Sequence, residues 1–231
     1  AQASGFKNIS IDLIFSLPYQ TANEWNTNLD IAFELGVQHI SSYSLTIKEK
    51  TKLSTLIKRG EIDELNEITS WEQYETLLNR CSQQGFINYE ISNFGKKGFF
   101  SKHNQCYWSG NEYLGIGPSA HSYNQKSRQW NISSNTQYIK SLLNQKIPFE
   151  IEHLTKSQKY NEYILTSLRT NSGIDIEFVK LNFQKRYHET LIKSMIRWID
   201  TKHLIRRNNI ITLSNKGKFI SDNIFSDMLI V

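Results

Sequence analysis

With 231 residues, of which 39% are hydrophobic and 12% aromatic, the chain is long enough to bury one large or two small cores and carries no low-complexity run. No apolar segment approaches the length of a membrane-spanning helix, and residues 1–6 lack the charged, apolar and cleavage regions of a secretory signal, so the expected compartment is the cytoplasm. The net charge of +5 sits wholly in the last third: residues 1–150 hold 14 basic and 14 acidic side chains and residues 151–231 hold 13 and 8, dispersed in a way that reads as a solvated face before it reads as a nucleic-acid or membrane surface.

In chain order, residues 9–15 (Ile-Ser-Ile-Asp-Leu-Ile-Phe) are apolar on both faces apart from Asp12, the pattern of a buried parallel strand. A carboxylate there is costly unless it accepts hydrogen bonds, so Asp12 either meets a polar ligand or fixes a neighbouring loop. Thr21 and Glu24 have the spacing of a capping box, and Trp25, Leu29, Ala32, Phe33 and Leu35 recur at helical spacing before Gly36. Residues 38–47 read as a second strand, completing a strand-helix-strand crossover and hence a parallel sheet. Ligands gather at the carboxyl ends of such strands, which makes Asp12, Tyr43 and Thr46 candidates.

Residues 48–67 are polar and irregular, as expected of a surface loop or lid. Thr69 or Ser70 is expected to start a helix with Trp71, Tyr74, Leu77, Leu78 and Cys81 on its apolar side, ended by Gly85. That places Cys81 in the core; with Cys106 the only other cysteine, there is no disulfide framework and no four-thiolate site, and both are expected to be free thiols. Three polar-aromatic clusters then crowd residues 89–123: Tyr89-Glu90-Ile91-Ser92-Asn93-Phe94, His103-Asn104-Gln105-Cys106-Tyr107-Trp108, and Gly115-Ile116-Gly117-Pro118-Ser119-Ala120-His121-Ser122-Tyr123. A stretch serving only a core would be more aliphatic, so some of these side chains are expected to face a ligand.

Ser133 or Ser134 opens a further helix, and Pro148, where the charge balance changes, suggests a domain boundary at about residue 150. Helical patterns follow at 157–169, 176–183 and 189–200, then short strands at 203–206 and 210–213 and a last helix after Ser214. Helices followed by a small hairpin and a helix outline a winged-helix-like module, a form often used on DNA but not proof of that role.

Taken together, residues 9–21, 40–47, 89–94, 103–108, 115–123 and 168–173 (Leu-Arg-Thr-Asn-Ser-Gly) resemble, in order, the motifs of the HemW family. These are radical S-adenosylmethionine proteins related to oxygen-independent coproporphyrinogen III oxidase and regarded as heme chaperones. The resemblance implies an α/β fold: the end of a radical SAM partial (β/α) barrel with added strands over residues 1–150, then a mostly helical winged-helix-like domain over 151–231. It also implies a four-iron four-sulfur cluster in the full-length family, bound by a Cys-x-x-x-Cys-x-x-Cys loop that does not occur here, so the chain looks like the later part of a longer protein.

By the same resemblance Asp12 matches the acid that holds the ribose of S-adenosylmethionine, and Tyr43 and Thr46 match the strand beside its adenine. His103, Asn104, Tyr107 and Trp108 match a His-Asn-x-x-Tyr-Trp motif associated with heme, with the His103 imidazole as iron ligand. Read without the family, His103 and Asn104 satisfy backbone groups in a loop while Tyr107 and Trp108 fill core. His121 is a second candidate ligand, or a buried strand histidine bonded to a neighbour. Ser16 and Tyr19 stand where the family usually has Gly in a Gly-Leu-Pro-Gly-Gln-Thr turn, and Ser119 replaces another usual Gly.

The function implied is heme and S-adenosylmethionine binding in heme trafficking or porphyrin metabolism, with a heme-acceptor protein, membrane-associated or not, as partner. Decarboxylation of coproporphyrinogen III is the alternative within the family. There, relatives carry Met-Asp-His-Phe-Ala where this chain has residues 89–94, which favours the heme-handling branch. Outside the family, the basic last third would serve a winged-helix nucleic-acid binder, and no nucleic acid is expected.

Overall fold

The computed structural model describes residues 1–64 and 66–230. The chain divides into two compact units, Ala1–Ser101 and Lys102–Val231.

In the first unit, β1 (Ser10–Phe15), α1 (Ala22–Glu34) and β2 (His39–Ser44) form the expected crossover, with β1 and β2 parallel and in register from Ser10 opposite His39 to Phe15 opposite Ser44. The predicted capping box is present: the Thr21 hydroxyl accepts from the Glu24 N–H, and the Glu24 carboxylate accepts from the Thr21 N–H at 2.9 Å. Beyond these lie α2 (Lys52–Lys58), α3 (Glu67–Gln83), β3 (Ile87–Glu90) and β4 (Asn93–Gly95), and the four strands form a sheet in the order β1-β2-β4-β3, with β4 antiparallel to both neighbours. The core lies where α1 and α3 pack on one face of this sheet, around Phe15, Trp25, Leu29, Ile40, Tyr74, Leu77, Cys81 and Phe94. Each such side chain contributes about 1.5–3 kcal/mol by leaving water. The indole N–H of Trp25 donates to the Gln73 carbonyl at 2.9 Å, so this ring is buried without an unpaired polar group.

Three expectations need correction here. β1 is not covered on both faces: Phe15 is 3% exposed but its neighbour Ile14 is 48% exposed, because α1 and α3 cover one side only. The stretch expected to be a loop contains α2, started by the Thr51 hydroxyl accepting from the Ser54 N–H at 3.2 Å. And α3 begins at Glu67, before Thr69, because the Asn66 side chain accepts from the Ile68 and Thr69 N–H groups and captures an earlier turn.

The second unit opens with α4 (Lys102–Trp108), then β5 (His121–Tyr123), β6 (Ser127–Asn131), α5 (Asn135–Leu143) and β7 (Phe149–His153), whose strands form an antiparallel sheet in the order β5-β6-β7. Residue 150 lies inside β7, which pairs with β6 along its whole length, and the compact units divide after Ser101. The winged-helix-like elements follow: α6 (Lys156–Arg169), β8 (Ile174–Asp175), α7 (Ile176–Asn182), α8 (Lys185–Asp200), β9 (Leu204–Arg207), β10 (Ile210–Leu213), α9 (Asn215–Phe219) and α10 (Ser221–Met228). β10 pairs with β9 as the expected hairpin and with the short β8, which the sequence did not announce. Its core gathers Tyr160, Ile164, Leu168, Val179, Tyr187, Leu191, Met195, Ile211 and Ile224. Gly173 is required: its φ is +70°, and a Cβ there would stand 2.2 Å from the Ile211 carbonyl oxygen. Among the described residues no helix is long and apolar enough to cross a membrane.

Candidate functional site

The uncovered face of the first unit holds two of the predicted ligand residues. Asp12 pairs with Ser41 and Ile14 with Tyr43, and because partners across a ladder point to the same side, Asp12 and Tyr43 share that face, where both are exposed. Thr46 is exposed two residues past the end of β2, on a segment tied to β1 by the Leu45 N–H donating to the Phe15 carbonyl at 2.9 Å. Ser41 in turn pairs with Asn93 and Asn93 with Glu90, so a polar row crosses all four strands. Glu90 at its far end is fully buried, and its carboxylate accepts from the Ser92 N–H at 2.8 Å and from the Asn93 side-chain amide.

Sequence reasoning missed His39 on the same face. It is 4% exposed, with Nδ1 2.7 Å from the Ser10 hydroxyl and Nε2 2.8 Å from the Tyr89 hydroxyl. Burial lowers its pKa, against the opposing pull of the Asp12 and Glu90 charges. The only signal in the chain was a histidine opening a β-rich run, which does not distinguish a buried ring from an exposed one.

The turn after β1 bends through two left-handed residues, Ser16 at φ +60° and Tyr19 at φ +62°, and Ser119 has φ +60°. These are the three positions where the family resemblance leads one to expect glycine. The left-handed backbone is therefore kept with side chains in place, at a cost of about 1–2 kcal/mol per residue. Gln73 clamps the first turn at both ends: its side-chain carbonyl oxygen accepts from the Ser16 N–H at 2.7 Å and its amide donates to the Gln20 carbonyl at 3.2 Å.

In the second unit, the His-Asn-x-x-Tyr-Trp residues lie on α4, a helix with no buried residue, rather than in a loop. Helical spacing splits them between two faces. His103 and Tyr107, one turn apart, are both exposed and meet edge to face at 4.9 Å. Tyr107 continues to Tyr113 at 4.7 Å and Tyr113 to Tyr123 at 5.8 Å, with Tyr113 and Tyr123 joined by a pair of backbone hydrogen bonds of 3.0 and 2.9 Å. The result is a row of rings ending in an exposed imidazole, and Tyr113 was not singled out in the sequence. Asn104 and Trp108 occupy another face, where the Arg169 guanidinium from α6 lies 4.7 Å over the Trp108 ring. His121 is exposed on β5, which corrects the expectation of a buried strand histidine, and its ring lies 6.2 Å from that of Trp130. Gly115 lets this strand pass: a Cβ there would stand 2.2 Å from the His121 carbonyl oxygen.

No family model matches the chain. It is 31% identical over 99% of its length to heme chaperone HemW of Bacillus subtilis, and 31% identical over 98% to heme chaperone HemW of Lactococcus lactis. It is 34% identical over 49% of its length to the mitochondrial radical S-adenosyl methionine domain-containing protein 1 of Danio rerio. Among solved structures, coproporphyrinogen III oxidase (HemN) of Escherichia coli, a radical SAM enzyme, superposes with a TM-score of 0.78 over 98% of this chain and 56% of that one, at 17% identity, a likeness of fold. The chain spans 61% and 60% of the two HemW proteins it matches. The chain belongs to the HemW family and corresponds to the C-terminal part of its members.

Proposed function

We propose that this chain is the heme-holding part of a HemW-type protein, with a second face for S-adenosylmethionine. The observation that carries the reading is the exposed His103 imidazole at the end of the ring row through Tyr107, Tyr113 and Tyr123. A neutral imidazole supplies a nitrogen lone pair to heme iron, and flanking aromatic edges and faces suit an apolar macrocycle. Trp108 and Asn104 lie on another side of α4, where the Arg169 guanidinium packs over the Trp108 ring.

On the first unit, the exposed Asp12 carboxylate accepts both hydroxyls of a ribose through charge-assisted bonds, while Tyr43 on the same face offers a ring to the purine and Thr46 a hydroxyl at the strand end. A four-iron cluster does not fit this chain's own residues: of its two cysteines, Cys81 is buried and Cys106 is exposed on α4, at no cluster-binding spacing. These residues therefore supply no route to S-adenosylmethionine cleavage, nor to porphyrinogen decarboxylation, which needs a radical. The reading places the protein in the cytoplasm, passing heme to an acceptor protein.

The test is a hemin titration followed by the Soret band. The native chain should give a saturable shift that His103→Ala abolishes and His121→Ala leaves in place. An unchanged spectrum for His103→Ala refutes the assignment.

A further inference from the structure

A cavity of about 290 Å³ lies in the first unit between the turn after β1 and the start of α3, away from the residues assigned above. Its size is at the lower edge of the roughly 300–1,000 Å³ of small-molecule clefts. The walls are the strained turn, from Ser16 to Gln20, and on the other side Asp63, Glu64, Asn66, Thr69, Ser70 and Gln73. Tyr19 closes one side by reaching across, its hydroxyl 3.5 Å from the Glu61 carbonyl and 3.4 Å from the Asp63 N–H.

Among the described residues, two that line the cavity carry buried oxygens with no hydrogen-bond partner: the hydroxyl of Ser16, a residue only 4% exposed, and the side-chain carbonyl of Gln20. Leaving such groups unpaired is costly, and native structures rarely do so without a ligand or bound solvent. The backbone around them is held by the Gln73 clamp in a conformation that L-residues seldom adopt, and strain of this kind concentrates at ligand sites.

The lining also fixes the sign of the occupant. Among the described residues it includes no lysine, arginine or histidine, and its formal charges are the carboxylates of Asp63 and Glu64. The N-terminus of α3 offers little to an anion, because the Asn66 side chain already takes the Ile68 and Thr69 N–H groups and the Ser70 N–H goes to the Asn66 carbonyl. The Gln20 amide oxygen can only accept, the Ser16 hydroxyl can accept as well as donate, and with the carboxylates of the exposed Asp63 and Glu64 they call for a ligand that donates hydrogen bonds and carries positive charge. We propose that this cavity binds a small organic ammonium compound, the ammonium group donating to Ser16 and Gln20 and paired with Asp63 and Glu64. This site is independent of the heme and nucleotide assignments.

The probe is putrescine, with 1,4-butanediol as its uncharged analogue and succinate as the anionic one, read by calorimetry and by backbone amide shifts on the chain as it stands. Putrescine should bind saturably and shift Ser16, Tyr19 and Gln73. Ser16→Ala and Gln20→Met should each weaken it about tenfold, and Asp63→Asn with Glu64→Gln should weaken it at least as much, with circular dichroism unchanged. Equal binding of butanediol, binding of succinate, or affinity indifferent to the Ser16 and Gln20 variants would overturn the proposal. Saturation by none of the three probes would do so too, leaving ordered water as the partner of both oxygens.

Discussion

Replacing Ser119 by glycine isolates the cost of keeping a side chain at a left-handed backbone position. Ser119 has φ +60°, its side chain is exposed, and its N–H donates to the Ile132 carbonyl at 3.1 Å, so the surrounding structure fixes the conformation whatever the side chain. The left-handed region costs an L-residue about 1–2 kcal/mol. Glycine removes that cost but gives back about 0.5–1 kcal/mol in unfolded-chain entropy. The net expectation is a stabilisation of about 0.7 kcal/mol, which for a chain of this size raises Tm by about 2 °C. Thermal unfolding followed by circular dichroism, with Ser119→Ala as control, measures it. Alanine keeps the strain and should bring no gain. A glycine variant that melts at or below the parent temperature, or an alanine variant that gains as much, would show that backbone strain at this turn is not what the serine costs.

Gly217→Ala should be severely destabilising, by about 2–4 kcal/mol, because a Cβ there would stand 2.0 Å from the His203 carbonyl oxygen; an unchanged guanidinium midpoint would contradict that close approach. His39 gives the first unit a pH dependence of definite sign. Its folded pKa lies below the ordinary value of about 6.5, so the unfolded chain takes up the proton first as pH falls. Stability is thus complete above about 6.5 and is lost below it, through the folded pKa. Urea midpoints between pH 5 and 8 should show this slope, and His39→Gln should flatten it. Cys81 is buried, with burial pushing its thiol up to about 12, whereas Cys106 is exposed. An aromatic disulfide reagent should therefore titrate one thiol in the native protein and two in denaturant, with Cys106→Ser removing the fast one.

Much of the architecture was legible because it is written in local pattern. The Thr21–Glu24 box, the apolar spacing through Trp25 and Leu29, and the run around Asp12 specified β1, α1 and β2, and a parallel pair joined by one helix has almost no other way to pack. The helices and hairpin of the last third were legible for the same reason. The sheet β5-β6-β7 was not: its strands are three to five residues long and polar, as in Ser127–Asn131, and their pairing depends on partners brought from elsewhere in the chain. Side-chain direction was equally hidden. A motif names His103, Asn104, Tyr107 and Trp108 together, but only their placement on a helix turns the first and third outward and sets Trp108 under Arg169.

Sequence by itself determined the family, the order of the elements and the residue types offered to a ligand, since these reside in composition and spacing. Tertiary structure decided which face of β1 stays open, that His39 is buried while His121 is not, and that Ser16 and Gln20 hold unpaired oxygens beside a cavity. The physical reason is that exposure and hydrogen-bond satisfaction belong to pairs of distant segments, and no local stretch of chain carries them.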